Sequence, residues 1–182
     1  RLRDEAAQRA RAAGDRRVQA LAVNNLGDLL LTTGEYAEAE PLFEESLGLL
    51  RELGDTANLA RSLFNLGAVA LSLGRPADAE RRFLESIALA EDAGDKEDLA
   101  WCLEGFAGLA ASAGDGERAA RLLGAAGGLL AEIGAEFKPF ERQLDERTRS
   151  EAVALCGHPR FEAALAEGGT LSLAAALALA RT

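Results

Sequence analysis

His158 is the single histidine of this chain, and it stands beside a thiol in Cys156-Gly157-His158-Pro159. A cysteine and a histidine are the parts of a nucleophile and its base. They work together only when both aim into one cleft and a third group orients the imidazole. A turn that ends a helix accounts for the same four residues without chemistry. One histidine with two distant cysteines, Cys102 and Cys156, does not make a zinc site of ordinary composition. Gly114-Asp115-Gly116-Glu117-Arg118-Ala119 matches a dinucleotide-binding fingerprint ending in alanine, but that pattern has meaning only between a strand and a helix. Here it joins two helical stretches. No Gly-Lys-Ser/Thr phosphate loop occurs anywhere. Catalytic residues, metal ligands and cofactors are therefore expected to be absent, and an enzyme built on Cys156 and His158 is the remote alternative.

The elements that would have to position such groups are written in a repeat. Gly34, Gly74 and Gly114 recur at a spacing of 40, and so do Gly14, Gly54, Gly94 and Gly134. Ala39, Ala79 and Ala119 share that spacing, as do Phe43, Phe83 and Leu123, and Leu26, Leu66 and Phe106. A fixed period of this kind marks stacked units, none of which buries its apolar face alone. Within each unit the apolar residues follow helical spacing: Val23, Leu26, Leu30 and Thr33 on a first helix, then Tyr36, Ala39, Phe43, Leu47 and Leu50 on a second. Repeat two places Leu63, Leu66, Ala70 and Leu73 at the first-helix positions. Gly34 and its equivalents end first helices in the left-handed conformation, and Asp15, Asp55 and Asp95 offer N-caps. Gly27 and Gly67 fall mid-helix, where glycine costs ~1 kcal/mol relative to alanine. Close packing of the partner helix is the expected reason. Pro41 should strain or bend its helix by removing the bond to Ala37, and Gly127 and Gly128 should soften the second helix of repeat three.

The expected organisation is a partial repeat over 1–14 and full repeats over 15–54, 55–94 and 95–134. After Gly134 the periodicity stops, and 135–182 reads as a helical cap. There a helix opening at Pro139 carries Phe140, Leu144 and Leu155 on one face. A short helix follows over 160–167, and a last one is capped by Ser172.

Leu26-Gly27, Gly34, Tyr36, Ala39 and Phe43, then Leu66-Gly67, Gly74, Ala79 and Phe83, resemble tetratricopeptide repeats. Repeat three keeps Gly114 and Ala119. The usual period is about 34 residues, and the helices here are longer. The resemblance implies an all-α, right-handed solenoid of helical hairpins with a helical C-terminal cap. Asn24-Asn25-Leu26-Gly27 and Gly34-Glu35-Tyr36-Ala37-Glu38-Ala39-Glu40 are similar to the repeat regions of large bacterial transcriptional regulators and signalling ATPases, of LuxR type or antibiotic-regulatory-protein type. Arg121-Leu122-Leu123-Gly124-Ala125-Ala126 and Leu171-Ser172-Leu173 resemble the C-terminal ending of such regions, although Ala174 and Ala175 stand where an acidic capping residue is usual. What this implies is a non-enzymatic sensor or protein-interaction region, attached to nucleotide-binding and DNA-binding domains outside these residues.

In such a fold first helices line the concave side. The expected partner-binding groove comprises Asn24, Asn25, Asp28, Arg61, Phe64, Asn65, Trp101 and Glu104. Asn25 and Asn65 are repeat equivalents whose carboxamides both donate and accept, as a clamp for an extended peptide signal requires. A protein or peptide partner is expected. The net charge of −10 opposes direct contact with nucleic acid phosphates. Arg1, Arg3, Arg9, Arg11, Arg16 and Arg17 collect at the start, interleaved with Asp4, Glu5 and Asp15, which reads as a solvated helix face. The most apolar stretch, 171–180, is far shorter than the ~20 residues of a membrane span. Two cysteines without a disulfide framework, and no signal peptide, give a cytoplasmic expectation. The absence of methionine, with helical pattern from Arg1 onward, suggests a piece of a longer protein.

Overall fold

A computed structural model describes residues 14–137 and 139–182; Arg1, Arg3, Asp4, Glu5, Arg9, Arg11 and the partial repeat before Gly14 lie outside them. Among the described residues there are nine helices and no strand: α1 (Arg16–Thr32), α2 (Tyr36–Leu53), α3 (Thr56–Ser72), α4 (Pro76–Ala93), α5 (Lys96–Ser112), α6 (Gly116–Ile133), α7 (Pro139–Cys156), α8 (His158–Gly168) and α9 (Leu173–Ala180). The described residues form two compact units, unit 1 up to Leu89 and unit 2 from Ala90, with the division in the last turns of α4. The fold is all-α, made of consecutive helical hairpins of the tetratricopeptide type.

The glycine punctuation acts as the spacing requires. Gly34, Gly54, Gly74, Gly94, Gly114 and Gly134 all have positive φ, between 65° and 85°, where a side chain would be strained. After Gly34 the Glu35 N–H donates to the Leu30 carbonyl at 2.9 Å, and after Gly74 the Arg75 N–H donates to Ala70 at 2.8 Å. These bonds satisfy helix-end carbonyls that would otherwise be orphaned. At the other ends Asp15, Asp55 and Asp95 accept first-turn backbone N–H groups through their carboxylates. Thr33 and Leu73 were expected on the apolar stripe. They are instead C-cap residues past the ends of α1 and α3, and both are exposed.

In unit 1 the second helix of each hairpin lays a phenylalanine across a glycine of the first. A Cβ on Gly27 would stand 2.7 Å from the Phe43 ring, and one on Gly67 would stand 2.4 Å from Phe83. Both rings are fully buried. The ~1 kcal/mol cost of a mid-helix glycine is thus offset by seating an aromatic ring against bare backbone. Repeat three carries Ala107 and Leu123 at the matching positions, a shallower socket with a smaller plug. Pro41 sits on the exposed side of α2, which runs unbroken through it. Solvent reaches that side and can serve the carbonyl that loses its donor.

Unit 2 holds the non-periodic tail. α6 packs against α5, α7, α8 and α9, while α7 packs on both α5 and α6. Gly124 and Gly168 let α6 and α8 touch backbone to backbone: an added Cβ would meet the Leu165 carbonyl oxygen at 2.1 Å and the Arg121 carbonyl oxygen at 1.9 Å respectively. Gly128 likewise faces Gly169, with a Cβ position 3.1 Å from its carbonyl oxygen, so its role is close approach and not the softening expected of it. On α7 the buried face runs through Phe140, Leu144, Thr148 and Ala152, and Leu155 is 48% exposed. The four buried residues are spaced by four, and Leu155 falls off that row. Ser172 caps α9, accepting from the Ala175 N–H at 3.2 Å.

Candidate partner-binding surface

The first helices of unit 1 meet through a polar network. Ser62 Oγ on α3 donates to Asn24 Oδ1 on α1 at 2.9 Å. Asn65 Nδ2 donates to Asp28 Oδ1 at 2.8 Å, and Asn24 Nδ2 donates to Asp28 Oδ2 at 3.3 Å. Ser46 on α2 sits 3.4 Å from the Ser62 hydroxyl and donates to the Ala20 carbonyl at 3.0 Å; one repeat on, Ser86 donates to Ala60 at 2.7 Å. Each buried polar group therefore has a partner, which removes most of its desolvation cost. The network also fixes which turn of α3 rests on which turn of α1.

This geometry revises the expected groove in unit 1. Asn24 and Asn65 are 6% and 3% exposed, and their carboxamides are engaged between helices. Phe64 is 1% exposed, with its ring 5.7 Å from Phe83. The expected ladder of matching asparagines does not form, because Asn25 faces solvent while its equivalent Asn65 is covered by α1. Asn25, Asp28 and Arg61 retain accessible surface. Beside Asn25 stand Val18 and Leu29, about half exposed, on the same face of α1.

In unit 2 Trp101 and Glu104 are 1% and 0% exposed. Neither reaches solvent as the groove expectation required. Glu104 is instead the centre of a buried acidic cluster under α7. Both of its carboxylate oxygens lack a hydrogen-bond partner. Asp145 is nearly buried; its Oδ2 accepts from Arg149 Nε at 2.6 Å and its Oδ1 has no partner. Burial holds the Glu104 carboxyl well above the usual carboxylate range, and the nearby charges of Asp145 and Glu141 push it further. Arg149 and the Asp145 backbone pull weakly the other way. Burial and the two acidic neighbours both favour the protonated form of Glu104, since an ionised carboxylate there would be desolvated and repelled. The signal for this cluster was present in Glu104 itself, a charge at the core-facing register of Asn24 and Phe64.

The residues weighed for chemistry are dispersed or occupied. Cys156 Sγ donates to the Ala152 carbonyl at 3.1 Å, and His158 stands exposed at the start of α8, after Gly157 with φ 81°. Asp115 caps α6 by accepting the Arg118 N–H at 3.0 Å. Arg118 reaches the end of α9, donating through Nε to Leu179 at 3.2 Å and through Nη2 to Ala180 at 3.1 Å. Its positive charge suits those terminal carbonyls, so the fingerprint-like stretch has a structural use at every polar position described. Arg16 and Arg17 pair with Glu52 and with Asp55, the latter at 2.8 Å. Among the described residues no three His, Cys, Asp or Glu side chains converge on a metal-sized site, and no helix is long and apolar enough to cross a membrane.

Helical hairpins in 40-residue register, with a ring-over-glycine contact inside the first two and polar side chains joining α1 to α3, define an all-α repeat scaffold. Its family follows: the model described as Tetratricopeptide repeat matches residues 17–92 and again 58–126, and the chain belongs to that family. Its repeats form a protein-interaction scaffold. No curated protein and no solved structure matches the chain.

Proposed function

We propose that this chain is the non-enzymatic sensor or protein-interaction region of a larger bacterial transcriptional regulator or signalling ATPase. In that reading nucleotide-binding and DNA-binding domains of the same protein lie upstream of Arg1. Residues 135–182 serve as the closing cap of a repeat array over 15–134, and the site of action is the bacterial cytoplasm. The observation that carries the interaction reading is the face of α1. Asn25 is exposed between half-exposed Val18 and Leu29, with Asp28 and Arg61 partly accessible nearby. Val18, Asn25, Asp28 and Leu29 together make a mixed apolar and polar surface on one helix. Their disposition fits a protein partner better than an extended peptide, whose expected asparagine clamp lacks Asn65.

Two measurements test this. A photocrosslinking residue at position 25 should capture a specific protein in cells that the same residue at Leu84, exposed on α4, does not capture. Equal capture from both positions would remove the surface assignment. The regulator context is tested by the coding sequence upstream of Arg1. An open reading frame holding no nucleotide-binding module there would sink that part of the proposal.

A further inference from the structure

At position 127 the repeat frame loses a core side chain. Its equivalents, 80 and 40 positions earlier on the second helices of repeats one and two, are Leu47 and Ile87, and both are buried. Repeat three has Gly127. Glycine inside a helix is unfavourable, and its neighbours in α6 have a use: Gly124 and Gly128 make room for the backbone of Leu165 and Gly169. Gly127 has no such use, because a Cβ on it would meet nothing within 4 Å. The missing side chain leaves a cleft of about 330 Å³ among α6, α7 and α8, with Leu123 and Leu165 as apolar walls. That volume falls in the ~300–1,000 Å³ range of small-molecule sites. Two opposite charges complete the lining, Arg149 from α7 and Glu162 from α8. They do not pair with each other, and Glu162 has no hydrogen bond or ion pair among the described residues. Arg149 is fastened through Nε, which donates to Asp145 Oδ2 at 2.6 Å, while its two Nη groups have no partner among the described residues.

We infer that this cleft binds a free α-amino acid with an apolar side chain. The ligand carboxylate pairs with the Nη groups of Arg149, since a planar guanidinium meets a carboxylate through two parallel hydrogen bonds. The Asp145 contact at Nε holds that fork in place before the ligand arrives. The ligand ammonium pairs with Glu162, and its side chain lies over Gly127 between Leu123 and Leu165. There it takes the volume that Leu47 and Ile87 fill on their own helices. A plain carboxylic acid would set its charge against Glu162, and a plain amine would set its charge against Arg149. A zwitterion satisfies both groups, so the pair of charges selects for it. This site goes beyond the interaction reading and does not depend on it, because the cleft lies in unit 2 and the Asn25 surface in unit 1.

Isothermal titration of the full chain with L-phenylalanine and with L-leucine should show saturable binding at a single site, with Kd of ~1 mM or tighter. Phenylpropionate lacks the ammonium and phenethylamine lacks the carboxylate, so each should bind at least ~tenfold more weakly than phenylalanine. Glu162→Gln alters an exposed residue and should leave the melt unchanged. It should weaken phenylalanine ~tenfold and should not weaken phenylpropionate. Gly127→Leu restores the side chain of repeat one where open space awaits it. That variant should keep or raise Tm and should lose binding of both amino acids. The absence of saturable binding by either amino acid would overturn the proposal. So would binding that survives Gly127→Leu in a folded chain, phenylalanine binding that Glu162→Gln leaves intact, or phenylpropionate binding as tight as that of phenylalanine. If position 25 captures a protein in cells and neither amino acid binds, the interaction reading stands and the amino-acid site falls.

Discussion

Replacing Glu104 by glutamine should stabilise the protein, and should do so more as the pH rises. The carboxyl is completely buried on α5, neither oxygen has a hydrogen-bond partner, and Asp145 and Glu141 face it from α7 with Arg149 as the opposing charge. Its folded-state pKa lies above the ordinary value of 4.5. The folded state therefore holds its proton over a range in which the unfolded chain has lost it. By linkage, stability falls as pH rises from about 4.5 to the folded pKa, and levels off above it. Each unit of elevation corresponds to about 1.4 kcal/mol. An unsatisfied buried neutral group costs ~1–3 kcal/mol, and a charged one costs more. Glutamine keeps the shape and removes the ionisation, so the gain should grow by up to about 1.4 kcal/mol for each pH unit between 4.5 and the folded pKa. For a cooperative unit of the size of residues 90–182, each kcal/mol of gain is a rise in Tm of roughly 4–8 °C. Melts at half-unit intervals from pH 5 to 9 provide the assay. The unaltered chain should lose stability across the lower part of that range relative to the variant, and the gap should be widest at alkaline pH. Parallel curves would show that Glu104 is solvated or paired in solution, and the reasoning would fail.

Gly67→Leu should lower stability by ~1–3 kcal/mol, because even its Cβ collides with the Phe83 ring; an unchanged urea midpoint would disprove the socket. Asn25→Ala should change stability by less than ~0.5 kcal/mol, as an exposed site does. Asn65→Ala should cost ~1–3 kcal/mol by emptying a buried position and removing its bond to Asp28, and equal effects of the two would refute the burial difference between these repeat equivalents. Deleting residues 135–182 strips α7, α8 and α9 from α5 and α6, so the truncated chain should aggregate and the emission of its single tryptophan, Trp101, should shift to the red. A monomeric product with an unshifted spectrum and the original melt would mean that the tail is not a cap.

The repeat frame was legible because its determinants are local. A positive-φ glycine, an aspartate one step beyond it and a phenylalanine at a fixed place on the second helix can each be recognised from type and spacing. The contact of Phe43 with Gly27 was likewise readable, since a glycine inside a helix calls for a close neighbour. The site was less so, for a physical reason. A first helix in a stacked array is covered on several sides, so a 3.6-residue period identifies its core stripe but does not separate the face against the next helix from the face left to solvent. Asn25 and Asn65 have the same type and the same register. In the structure α1 lies beside α3 and its Asp28 takes the Asn65 amide, while Asn25 is exposed. Glu104 posed a different problem: its carboxylate neighbours Glu141 and Asp145 lie in the non-periodic tail, where no repeat correspondence links them to α5. Leu155 was misplaced because Phe140 and Leu144 fit two continuations of an apolar row, and the structure follows Thr148 and Ala152.

The crossing of α6 and α8 at Gly124 and Gly168 bears on how freely different parts of this chain can diverge. Side chains ordinarily act as adjustable spacers between helices. The repeats exploit that: where two of them carry Phe and Gly at the matched positions, the third carries Leu and Ala, with the loss of volume on one helix matched by a gain on the other. At the α6–α8 crossing there is no spacer to adjust, because backbone rests on backbone. A side chain gained on one helix has nothing on the other to shrink in exchange. The tail carries none of the 40-residue periodicity, yet at this crossing its route to gradual, compensated change is closed.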